Sequence, residues 1–135
     1  MRKVSNLLLS SAMALALTAF ASANAQAQEH MKPQGKQVTL SVQVIDLHCF
    51  TANGMKGEMH KECNIACSKA GVPLALLTSD GKVYIPVAKS PMTSQQNYNK
   101  QLVDYAEQWV KVEGTLYESG GVLGIDITGV EAAAD

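Results

Sequence analysis

Across residues 37–45, QVTLSVQVI, the apolar side chains Val38, Leu40, Val42 and Val44 alternate with polar ones, the period of a strand with one buried face. The pattern then breaks. TANGMKG (51–57) has no periodicity and predicts a loop. Residues 58–70 lack runs of β-branched side chains and stop at Gly71 with Pro73 two residues on, which predicts a helix and its end. PLALLTS and KVYIPVA flank Asp80-Gly81, a strong short-range hairpin signal, and predict strands two and three. In the segment that follows, Tyr98, Leu102, Tyr105 and Ala106 recur at helical spacing and predict a short helix over about 94–107. WVKVEGTLYE alternates again through Val110, Val112 and Leu116. Gly120 and Gly121 then turn the chain into VLGIDITGVE, a last strand carrying Leu123, Ile125, Ile127 and Val130.

This order predicts a mainly β fold, a five-stranded OB-like small barrel. A Cys/His-bearing helix is inserted between strands one and two, and a short helix lies between strands three and four. A different small antiparallel sandwich has the same signals.

Upstream of the first strand, Arg2 and Lys3 precede the apolar run LLLSSAMALALTAF and the small residues ASANAQAQ. That is the pattern of a secretory signal peptide, with cleavage expected after Ala23, Ala25 or Ala27. The expected organisation is a signal peptide over 1–27, a polar arm over 28–36 (QEHMKPQGK) and one domain over 37–135. The apolar run is short for a membrane span, no second one follows, and no cysteine is placed for lipid attachment, so no membrane anchor is expected. A soluble periplasmic or secreted product is. Removing residues 1–27 takes away two basic residues and none of the 12 carboxylates, leaving a charge near −3. With no lysine or arginine cluster, no nucleic-acid partner is expected.

Export makes the cysteines informative. Cys49, Cys63 and Cys67 are 3 in number, so an oxidising compartment that pairs thiols must leave one over. At about 100° per residue, His60, Cys63 and Cys67 fall within roughly 60° of one another around a helix. With Met59, Ala66 and Ala70 on the neighbouring arc, that stripe is expected to face the barrel. Cys49, just after the first strand, can be brought over it. Thiolates and imidazole are ligands for zinc or copper(I), and Met55 and Met59 can add thioethers. Cys49, His60, Cys63 and Cys67 would make a closed tetrahedral set, which suits storage, delivery or structure rather than catalysis. Asp46 and His48 are candidates to orient those ligands. A disulfide from Cys49 to Cys63 or Cys67, stapling the helix to the first strand, stands beside the metal reading, as does plain burial of small apolar thiols.

The stretches DLHCF, KGEMHKECNIACSKAGVPLALL and DGKVY resemble a largely uncharacterised family of small exported bacterial domains. Its pattern is D-x-x-C, a K-G loop, H-x-x-C-x-x-x-C-x-x-x-G-x-P and a D-G-K hairpin. The matching positions are Asp46, Cys49, Lys56, Gly57, His60, Cys63, Cys67, Gly71, Pro73, Asp80 and Gly81. The resemblance implies an OB-like exported domain with a shared cysteine–histidine site, and no particular reaction.

Two further chemistries compete with this site. Cleavage after Ala27 would start the chain Gln28-Glu29-His30, whose amine, amides and imidazole suit square-planar copper(II) or nickel(II). Cyclisation of the glutamine or another cleavage position removes it. Nucleophile-elbow, P-loop, H-E-x-x-H and C-x-x-C signatures are absent. Cys63 with His60 is the closest thiol–imidazole pair, whereas Cys67 stands about 10 Å from His60 along the helix. Three functions are therefore expected in order: an exported copper- or zinc-handling protein, with a possible protein partner for metal delivery; an OB-like ligand- or protein-binding module with a structural disulfide; and a thiol-based oxidoreductase.

Overall fold

A computed structural model describes residues 34–133 apart from 89 and 91. The signal peptide, most of the arm and the Gln28-Glu29-His30 motif lie outside the described residues. The protein is mainly β, with five strands in one sheet: β1 Lys36–Asp46, β2 Leu74–Leu77, β3 Val83–Pro86, β4 Trp109–Ser119 and β5 Val122–Ala132. Hydrogen bonding runs β1-β2-β3-β5-β4 and returns from β4 to β1, so the sheet closes on itself. The closure is thin at one seam, where β3 and β5 pair in parallel over Ile85↔Gly124 and Pro86↔Ile125 alone. The other neighbours are antiparallel, the longest pairing being β4 with β5 across the Gly120-Gly121 turn. Both glycines there have positive φ, as a two-residue hairpin with the right-handed twist of its strands requires.

The alternating residues meet inside. Val42, Val44, Leu74, Leu76, Tyr84, Val110, Val112, Ile125 and Ile127 form the main core. Leu102 joins it from the helix α3, Gln95–Leu102, which continues as a 3₁₀ turn over Val103–Tyr105. The single helix expected over 94–107 is thus shorter, because the chain must extend at Ala106 to enter β4.

The connection from β1 to β2 departs most from the expectation. Instead of a loop and one helix it holds α1, Leu47–Asn53, then a 3₁₀ turn over Glu58–His60 and α2, Lys61–Lys69. Helix α1 is short but fully punctuated. The Asp46 side chain accepts the Cys49 N–H at its start, and Gly54, in the left-handed conformation, returns its N–H to Phe50 at its end. Leu47 and Phe50 bury Ile45, Ala75 and Leu77, a second small core on the opposite face of β1 and β2. With Ile45 covered there and Gln43, on the same face, hydrogen-bonded to Glu107, all of Val42–Asp46 is buried.

Candidate metal centre

Two helices deliver the thiols. Asp46 Oδ1 holds the Cys49 N–H at 2.8 Å, which sets the first turn of α1 and with it the direction of Cys49. Cys63 and Cys67, four residues apart on α2, share one side of that helix with their sulfurs 4.0 Å apart. The three Sγ atoms all lie within 4.8 Å of one another. Two sulfurs bound at 2.3 Å to a tetrahedral zinc stand about 3.8 Å apart, and about 4.0 Å in a trigonal arrangement with the same bond length. The cluster is therefore close to the spacing of a metal–thiolate set. It is twice too wide for an S–S bond of about 2.05 Å. All three cysteines are free thiols, which corrects the expectation of a disulfide stapling α2 to β1: α1 and α2 approach at the distance of a shared ligand cage, not of a covalent bridge.

The electrostatics favour protonated thiols until a cation arrives. Burial raises the Cys49 thiol above its ordinary value, with the Asp46 carboxylate adding to the effect. Burial, then hydrogen bonding with Asp46 and Cys63, pushes the Cys67 thiol up to about 12. A carboxylate beside clustered sulfurs resists the build-up of negative charge, and a metal ion removes that resistance by releasing protons as it binds.

The stripe does not face the barrel. Cys63 is exposed, Met59 is fully exposed, and Ala66 and Ala70 are open to solvent, whereas His60, Asn64 and Ser68 are buried. The expectation failed because His60 belongs to the 3₁₀ turn, so the α-helical angle cannot be extended through it, and because the partner for the inward face is polar. That partner is Glu107. Its Oε1 lies 3.0 Å from His60 Nδ1 and accepts from Asn64 Nδ2 at 2.8 Å. Its Oε2 accepts from the Gly57 N–H at 2.7 Å and from Gln43 Nε2 at 3.4 Å. The residue adopts φ +61, a left-handed conformation that costs an ordinary side chain of order 1 kcal/mol. Its N–H donates to the Val44 carbonyl on β1, and the carbonyl of the next residue, Gln108, accepts the Val44 N–H.

Of the four ligands expected, the structure brings together Cys49, Cys63 and Cys67; His60 lies outside the sulfur group. Asp46 is fully buried against α1. His48 is exposed and lines an apolar cleft with Leu47, Thr51, Ala52 and Pro73. Met55 and Met59 are exposed in the segment between α1 and α2. Glu107, Asn64 and Gln43 were missed: Gln43 occupies a solvent phase of its strand, and nothing in DYAEQW marks a buried carboxylate. Asn99 was missed too. It accepts the Leu74 N–H and donates to the carbonyls of Ser68 and Val72, tying the exit of α2 and the start of β2 to α3. The α1 signal was legible, since Asp46 and Asn53-Gly54 are a start and a stop seven residues apart. No family model, curated protein or solved structure matches this chain.

Proposed function

We propose that the chain is an exported metal-handling protein that carries a copper or zinc ion on Cys49, Cys63 and Cys67. The observation that carries this reading is three sulfurs from two separately capped helices converging within 4.8 Å. Cys63 is exposed, so an ion on the three sulfurs is within reach of solvent. That access suits exchange: an incoming ligand from a partner can reach the ion before the thiolates release it. Soft sulfur donors select copper(I) or zinc over magnesium or calcium. The leader over residues 1–27 supports a periplasmic or secreted location. The strand order, with its parallel β3–β5 seam, supports an OB-like barrel serving as a rigid base for the helical connection. The cysteine–histidine motif shared with small exported domains supports a common site.

The test is thiol counting and elemental analysis on protein recovered from its exporting compartment without added reductant or chelator. The expected result is one copper or zinc per chain and three cysteines that react with thiol reagents only after the metal is removed. Two cysteines oxidised to each other, with no stoichiometric metal, would reject the reading in favour of a binding module with a structural disulfide.

A further inference from the structure

Among the described residues, four buried side-chain atoms have no hydrogen-bond partner: Asp46 Oδ2, His60 Nε2, Asn64 Oδ1 and Gln95 Nε2. Three of these residues frame the cysteines in the chain. Asp46 caps the helix of Cys49, and His60 and Asn64 alternate with Cys63 and Cys67 on and just before α2. Leaving such an atom unpaired costs about 1–3 kcal/mol, so their concentration at one place calls for a cause.

His60 is the most informative. It is 4% exposed, and its Nδ1 is engaged by a carboxylate that is itself held by Asn64, Gly57 and Gln43. With the proton on Nδ1 donated to Glu107, the lone pair stands on Nε2, the atom with no partner. A carboxylate fixing one ring nitrogen so that the other can bind a metal is the usual support of a histidine ligand. Resting on the three-thiolate reading, we propose that His60 Nε2 is the fourth donor, recruited when an ion occupies the sulfurs, and that Glu107 is its positioning residue. Binding releases the thiol protons to solvent and keeps the His60 Nδ1–Glu107 hydrogen bond. The left-handed backbone at Glu107 aims the carboxylate at α2 from the strand side, which no residue of α2 itself can do.

Cobalt(II) is the probe, titrated into the reduced full chain under argon. Sulfur-to-cobalt charge transfer reports the thiolates, and the ligand-field bands report the fourth donor. His60→Ala and Glu107→Gln are each expected to keep the charge-transfer intensity, shift the ligand-field bands and weaken cobalt binding by about 10–100-fold. The double variant should bind no more weakly than His60→Ala alone. Unchanged ligand-field bands in His60→Ala, with charge transfer intact, would overturn the proposal and leave the three-thiolate site standing. No charge transfer in the wild type would overturn both. Should Glu107→Gln fail to fold, ¹¹³Cd-loaded wild-type protein decides. Scalar coupling from cadmium to His60 Nε2 supports the proposal; coupling to cysteines alone rejects it.

Discussion

The two sides of α2 are built from the same nine residues and do opposite things. One side holds Cys63, open to solvent, and the half-buried Cys67. The other holds Asn64 and Ser68, preceded by His60, and is buried on Glu107 and on Asn99. The contrast separates stability from chemistry on a helix of about two and a half turns. The three thiols that take up and release the ion are not the groups that hold the helix down, so exchange on them does not loosen the fold. A polar inner face solves this: hydrogen bonds to a carboxylate fix both the position and the rotation of the helix, which apolar contacts alone leave less defined.

The largest expected effect comes from breaking the inner face. Glu107→Ala leaves His60 and Asn64 buried without their acceptor and frees the half-buried Gly57 N–H, while Gln43 keeps only its bond to the residue-107 carbonyl, and it should cost about 3–5 kcal/mol in urea unfolding of the metal-free protein. A loss below about 1 kcal/mol would mean that the carboxylate does not anchor α2. Asn99→Ala removes three hydrogen bonds at the α2 exit and should cost about 2–3 kcal/mol by the same measurement. On the outer face the balance reverses. Cys63→Ser should change metal-free stability by no more than about 0.5 kcal/mol while abolishing stoichiometric metal, since the residue is exposed. Equal losses of stability from Cys63→Ser and Asn99→Ala would erase the distinction between the two sides.

Asp46 touches both functions. Asp46→Ala should cost about 1 kcal/mol through the lost cap of α1. It should also weaken metal binding, because Cys49 is aimed by that cap. The smallest expected effect is in pH. The folded chain binds the Cys49 and Cys67 protons more tightly than the unfolded chain, so stability is fully present below the ordinary thiol value of 9.0. It declines as pH rises from there towards about 12, where Cys67 ionises in the folded state. Thermal unfolding of metal-free protein across that range should show the decline, and bound metal should remove it.

Much of the barrel was legible before any coordinates. Alternation placed the interior valines, and Asp80-Gly81 and Gly120-Gly121 marked the hairpins, because strand period and turn chemistry are local properties of the chain. The connection between β1 and β2 was read only in part. Its helix end at Gly71 was correct, where φ is +97 and Val72 returns its N–H to Cys67. Its first helix, Leu47–Asn53, runs into the loop expected from residue 51, although Asp46 and Gly54 mark both its ends.

By itself the sequence determined the strands, their turns and the residue types available for ligation, including the two cysteines one helical turn apart. Only the tertiary structure decided that Cys49 meets them, that the stripe faces outward, and that His60 turns instead to a carboxylate 47 residues away. The reason is physical. Which face of a helix is buried depends on what the rest of the chain places beneath it, and here that is a glutamate in a left-handed conformation, whose position no periodicity encodes.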